Sequence, residues 1–162
     1  NQPDALFLTA DTSGALPLLA QLLPENGVKT ETTQFIRLTR WDIPASTLDL
    51  PGVQGGWFAL PDPALNERFR ARYQSAFGEG AHPIAGLAYD GIAAIGALVK
   101  QGNRDALTTT ALTQPSGFVG VDGIFRLRQD GTNERGLAVA EIRDKQVFVI
   151  DPAPRSFGGA GF

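Results

Sequence analysis

ALFLTADTSGALPLLAQLLPENGVKTETTQFIRL, residues 5–38, is the stretch that decides the fold. Ala5–Thr9 is a short apolar run that predicts a buried strand. Asp11-Thr12-Ser13-Gly14 breaks it, and Ser13 suits a helix N-cap. Leu16, Leu19, Ala20 and Leu23 then share one helical face, and Pro17 falls in the first turn, where its missing N–H costs little. Pro24 and Asn26-Gly27 end the helix. Gln34–Leu38 predicts a second strand. A strand, a helix and a strand joined by short connections make a βαβ unit, which implies parallel pairing and a right-handed crossover. The fold class is therefore α/β.

Beyond this unit, Thr39–Gly56 reads as irregular and Trp57–Leu60 as a third short strand. Asp62-Pro63 is an N-cap followed by proline at the first helical position. Leu65, Phe69, Tyr73 and Ala76 recur at helical spacing after it, with Arg68, Arg70 and Arg72 off that stripe. A second helix is predicted over Pro83–Lys100, with Ile84, Leu87, Ala88, Gly91, Ile92, Ile95, Leu98 and Val99 as its apolar face. A third, short helix starts at an Asn103 cap and stops before Pro115. Gly123–Arg128, Gly136–Arg143 and Gln146–Ile150 read as strands. Turn signals at 129–132 and at Asp144-Lys145 separate them. The tail from Asp151 to Phe162 reads as loop.

The composition narrows the function classes. The 162 residues are 43% hydrophobic and 19% charged, a globular balance. No apolar run approaches the roughly 20 residues a membrane-spanning helix needs. The net charge is −3, so no excess of base is available for a nucleic-acid-binding face. There is no cysteine, which removes thiolate chemistry and disulfides. There is also no methionine, which points to a removed leader or to a piece of a longer protein.

Chemistry-bearing patterns are sparse. The one histidine, His82, precedes Pro83 at a helix start and has no nucleophile motif near it in sequence. No cluster has metal-ligand spacing, and no phosphate loop, nucleophile elbow or dinucleotide fingerprint is present, so no metal or cofactor is expected. Two loops stand out instead. Asp11-Thr12-Ser13 follows the first strand at a helix N-terminus, and Thr39-Arg40-Trp41-Asp42 follows the second. In an open parallel sheet, ligands sit beyond the carboxyl ends of strands. An arginine fork beside a tryptophan face can hold a carboxylate and stack a flat group. The other reading is that Arg40 and Asp42 pair with each other while Trp41 packs against the rim.

The order of these parts resembles a known family. DALFL with its helix, FIRLTRWD, the crossing segment GVQGGWFALPDP, the helix FRARYQSAFG, the helix GLAYDGIAAIGAL and the ending GVDGIFRLRQDGTNERGLAVAEI together resemble the C-terminal half of type I periplasmic binding proteins of the Leu/Ile/Val-binding class. TRWDIPASTLDLPGVQGGWFALPDP, AHPIAGLAYDGIAAIGAL and VIDPAPRSFGGAGF are similar to alphaproteobacterial penicillin-binding protein activators. The resemblance implies two α/β lobes around a cleft. Residues 1–56 would end the second lobe, and 57–61 would cross between lobes, with Gly56, Trp57 and Pro61 as the hinge. Residues 62–145 would return to the first lobe, and 146–162 would hold the last crossing strand and the tail. The missing N-terminal portion would carry further strands of both sheets, and a chain without them is expected to dimerise or to depend on that remainder.

The resemblance also implies function. For the activator group it implies a non-enzymatic periplasmic lipoprotein, anchored through an upstream lipid, that touches a peptidoglycan synthase. For the solute-binding group it implies a component of an ABC-type transporter holding amino acids or other small polar solutes. The ligand residues would then be Asp11, Thr12, Ser13, Thr39, Arg40, Trp41 and Asp42, with Tyr89 from the other lobe. Amino-acid-binding members place a cleft acid in the loop matching Thr39–Asp42 and an aromatic at the position matching Asp11. Both are departures here. An enzyme of unrecognised type is the third reading, and it would need a nucleophile and a base in contact.

Overall fold

The computed structural model describes residues 3–100 and 106–158. The chain divides into two compact units. One takes in the chain to Leu60 together with Ala138–Pro152; the other takes in Pro61–Leu137 and the chain from Ala153.

The first unit starts with the βαβ motif. β1 (Ala5–Phe7) and β2 (Gln34–Arg37) are parallel neighbours joined through α1 (Leu16–Glu25). The helix opens two residues later than expected: its N-cap is Ala15, with no side-chain cap. The Ser13 hydroxyl is taken instead by the Asp11 carboxylate, at 2.9 Å. A side chain that bonds locally to a neighbouring carboxylate is lost to capping. β3 (Trp57–Leu60) lies parallel to β2, after an irregular passage that contains two short 3-10 turns, at Ala45–Asp49 and Pro51–Val53.

The second unit begins with α2 (Pro63–Phe77). The Asp62 carboxylate accepts from the amides of Ala64 and Leu65 at 2.9 and 3.0 Å, as the Asp-Pro step predicts. Gly78, at φ 76°, ends the helix in the left-handed region. α3 (Ala85–Lys100) and the one-turn α4 (Thr109–Leu112) follow. The Asn103 cap expected for the third helix lies outside the described residues; α4 is capped by Thr108, whose hydroxyl accepts from the Ala111 amide. β4 (Phe118–Gly120), β5 (Gly123–Leu127) and β6 (Asn133–Arg135) form a three-stranded antiparallel sheet.

The chain then re-enters the first unit as a hairpin, β7 (Ala138–Arg143) and β8 (Gln146–Asp151). Asp144 and Lys145, at φ 49° and 61°, make the tight turn between them. The Ala138–Glu141 part of β7 runs antiparallel to β3, so the first unit's sheet has the order β1-β2-β3-β7-β8. This corrects two expectations. β7 belongs with residues 5–60 and not with the returning part of the other lobe. Trp57–Leu60 is a strand paired on both sides, and the passage between units falls between Leu60 and Pro61.

The core of the first unit follows from strand alternation. Phe35, Phe58, Leu60, Ala138, Ala140 and Ile142 are buried, and Leu16 and Ala20 of α1 are buried with them. The expected inner face of α3 is also corrected. Its buried positions are Gly86, Asp90, Ala94 and Leu98, whereas Ile84, Leu87, Ile92, Ile95 and Val99 are exposed. The helix is apolar or small nearly all round, so periodicity alone does not choose a face. The polar partners of Asp90 choose it.

Candidate functional site

Parallel pairing sets the loops after β1 and β2 side by side. The Leu8 amide donates to the Ile36 carbonyl at 2.9 Å and carries the ladder one step past β1. Beyond it the Asp11 carbonyl accepts from Gly14 and Leu16, both at 3.1 Å, and turns the chain into α1. Ser13 donates to Asp11 Oδ2 at 2.9 Å, and Thr12 lies 3.4 Å from Oδ1. The Ser13 hydroxyl, and after it the Thr12 amide, hold the Asp11 carboxyl below its ordinary pKa, with a smaller pull from Arg37.

Arg37 is the residue the sequence analysis missed. It ends β2 on the same face as Phe35, in register with Phe58, and is only 8% exposed. Its nearest charge is Asp11, with Nη2 3.9 Å from Oδ1, too long for a hydrogen bond. Its Nη1 is buried and has no partner among the described residues. Burial pushes the guanidinium pKa down, and Asp11 opposes that. The signal was present in the sequence: in Gln34-Phe35-Ile36-Arg37, the alternation that buries Phe35 must also bury Arg37.

Thr39-Arg40-Trp41-Asp42 adopts the self-paired arrangement. Arg40 grips Asp42 with Nε on Oδ1 at 2.8 Å and Nη2 on Oδ2, so this fork is engaged within its own loop. Trp41 is fully buried. Its ring tilts against Phe58 at 6.3 Å between centroids and covers Gly56, where a side chain would collide with it. Its faces are therefore packed and offer no stacking platform. Its Nε1 is buried without a partner. Among the described residues, the buried side-chain N–H groups that lack an acceptor are thus Arg37 Nη1 and Trp41 Nε1, four residues apart. Thr39 is exposed.

The remaining expected residues lie apart from these loops in sequence and role. Tyr89 belongs to the other unit, where it packs on Phe69 at 5.3 Å and helps line an open apolar pocket with Tyr73, Phe77 and Ile92. Trp57 sits in β3 and directs its indole N–H to Glu141 at 3.3 Å. Gly56 is buried, and Pro61 starts the second unit. His82 is exposed, and its Nδ1 accepts from the Ile84 amide at 3.4 Å. Among the described residues, no group of His, Cys, Asp and Glu is placed to hold a metal ion.

Comparison with known proteins gives a consistent picture. The family model described as "Periplasmic binding protein" matches residues 1–146. No curated protein matches the sequence. Three solved structures share the fold. A putative branched-chain amino acid ABC transporter protein from Rhodospirillum rubrum is 20% identical, with a TM-score of 0.69 over 91% of this chain and 44% of that one. The leucine binding protein LivK from Thermotoga maritima is 15% identical, with a TM-score of 0.58 over 93% of this chain and 44% of that one. A solute binding protein from R. palustris, in complex with benzoate, is 16% identical, with a TM-score of 0.59 over 94% of this chain and 44% of that one. The chain thus spans less than half the length of these relatives.

Proposed function

The chain belongs to the periplasmic binding protein family, and from that premise we propose that it contributes one wall of a small-solute site, built from the loops at 9–15 and 37–42. The observation that carries this reading is Arg37. A buried guanidinium with an unpartnered donor costs stability unless something else uses it. It stands at the carboxyl ends of parallel strands, where a ligand is expected in an open α/β sheet. Asp11 lies 3.9 Å from it, and Thr12 and Ser13 hold that carboxylate from the same loop. The role is binding, in the periplasm, as part of a solute uptake system. A panel of small anionic, cationic and neutral solutes tests it by titration calorimetry. Saturable binding of one charge class is expected; no binding across the panel would contradict it.

A second reading has its own support. The exposed Leu87, Ile92, Ile95 and Val99 of α3, with Ile84 just before it and the exposed Phe77 of α2, give an apolar face of the kind a protein partner covers. On that reading the chain is part of an activator that docks a peptidoglycan synthase, is held at the membrane by an upstream lipid and pairs with a second copy or with its own remainder. Binding of a peptidoglycan synthase, lost when Ile92 and Val99 become serine, combined with no solute binding, would decide for it.

A further inference from the structure

We propose that the second unit carries a binding site of its own, for a small organic phosphate, in which Arg68 and Arg155 hold the phosphate and an apolar lining takes the organic part. Every residue that lines it belongs to that unit. The inference therefore does not rest on the solute-site reading of the loops after β1 and β2, nor on the apolar face of α3.

The site is a cavity of about 340 Å³ at the start of α2, large enough for a small molecule. Leu65 and Arg68 reach it from one face of that helix, with Ala64 one turn before Arg68. Val119 of β4 and Ile124 of β5 line it from the sheet. The remaining wall is the tail, which the sequence analysis read as loop. It is pinned at both ends of a short run. Ala153 is buried, and Pro154 packs over Gly136 beside Ile124: a Cβ at Gly136 would come within 2.7 Å of Pro154 Cγ and of Ile124 Cγ1. Phe157 lies against Arg126, with the guanidinium carbon 4.5 Å from the ring centroid. Arg155 sits between these two anchors, so the fold delivers it to the mouth of α2 at little further cost in chain entropy on binding.

The charges at this cavity are unanswered. The protein has a net charge of −3, so carboxylates are in excess. Arg37, Arg40, Arg126, Arg128, Arg135 and Arg143 each face one. Arg68 and Arg155 are exposed, and neither has an ion pair or a side-chain hydrogen bond among the described residues. The one carboxylate in the lining, Asp62, is already taken by the amides of Ala64 and Leu65. A cleft lined by one free sign of charge concentrates counter-ions. A phosphate monoester carries roughly −1.5 to −2 at neutral pH and offers three acceptor oxygens, enough for two guanidinium forks, whereas a carboxylate serves one fork well. The apolar lining accounts for the rest of the ligand. Val119 is 74% exposed, more than any other large apolar side chain among the described residues, and it borders this cavity with Leu65, Ile124 and Pro154. An organic group attached to the phosphate covers it.

Calorimetric titration of the protein with phenyl phosphate, benzoate and inorganic phosphate tests the proposal. Phenyl phosphate is expected to bind saturably, and more weakly as salt is added. Arg68→Gln and Arg155→Gln change exposed, unpaired side chains, so each variant should melt with the parent, and each should weaken phenyl phosphate by about tenfold or more. Val119→Ser should weaken phenyl phosphate and leave inorganic phosphate unchanged. Benzoate binding as tightly as phenyl phosphate would overturn the phosphate assignment. Inorganic phosphate binding as tightly would overturn the organic part. Phenyl phosphate binding that survives both arginine variants and is lost in Arg37→Met would overturn the site and move the anion to the loops of the first unit. No binding of phenyl phosphate would overturn the proposal and leave the solute reading standing, since that reading is tested on the other unit and with solutes of every charge class.

Discussion

Replacing Gly52 with alanine should unfold much of the first unit, lowering its melting temperature by on the order of 10–20 °C. Gly52 is buried in the second 3-10 turn, which presses directly on α1. A methyl group there would overlap the carbonyl oxygen of Ala20 and sit 2.6 Å from its carbonyl carbon and 2.8 Å from its Cα. These are main-chain atoms of a helix, so no side chain can swing away. Relief requires the turn and α1 to separate, which uncovers Leu16 and Ala20. Overpacking costs about 1–3 kcal/mol where side chains can adjust, and more where backbone opposes backbone. Thermal unfolding followed by circular dichroism checks this. A variant melting within a degree or two of the parent would show that the turn does not press on α1 as described.

The second large effect is expected at Asp90. Its side chain is fully buried under α3, where it accepts from the Val121 amide at 2.6 Å and from Arg135 Nη1 at 3.0 Å. Gly120 is a glycine because any side chain there would strike this carboxylate. Asp90→Ala strands both donors. Removing one member of a buried pair typically costs about 3–5 kcal/mol, and the lower end applies here because Arg135 is one-fifth exposed and lies over the Phe125 ring. Urea unfolding should show a loss of about 3 kcal/mol for Asp90→Ala and a smaller loss for Asp90→Ala with Arg135→Met, which removes the orphaned charge. A loss under about 1 kcal/mol in the single variant would mean that this pair does not hold α3 to the sheet.

These two positions show where local sequence informs and where it does not. β1, α1, β2 and β3 were legible because their apolar spacing is short-range, and the α2 start was legible because Asp62-Pro63 carries its own cap. The inner face of α3 was not legible. It depends on Asp90 meeting Val121 and Arg135, residues 31 and 45 positions away. The pairing of β7 with β3 was hidden for the same reason, since Trp57 faces Glu141 across 84 positions. β4 and β6 were missed because three residues carry too little alternation to read.

The site divides in the same way. That the loops after β1 and β2 lie side by side was legible from the βαβ order alone. Of the two readings the sequence left open for Arg40, the structure has the one in which it pairs with Asp42 in the same loop. The packing of Trp41 needed Gly56, fifteen residues on, to leave it room. Arg37 was legible in principle, as a charge on the buried register of a strand. What singles it out is that Nη1 has no partner among the described residues, which local sequence does not show.

The most direct test of the account is a proton–nitrogen NMR titration of the protein with whichever solute of the calorimetric panel binds, following the backbone amides and the two tryptophan indoles. The sequence holds only Trp41 and Trp57, so both signals can be assigned. Trp57 already donates to Glu141 and serves as the internal reference. The account predicts that the amides of residues 9–15 and 37–42 shift saturably while the Trp57 indole stays in place. Saturable shifts confined to α3, with the amides of residues 9–15 and 37–42 unmoved, would contradict it and place the binding surface on the other unit.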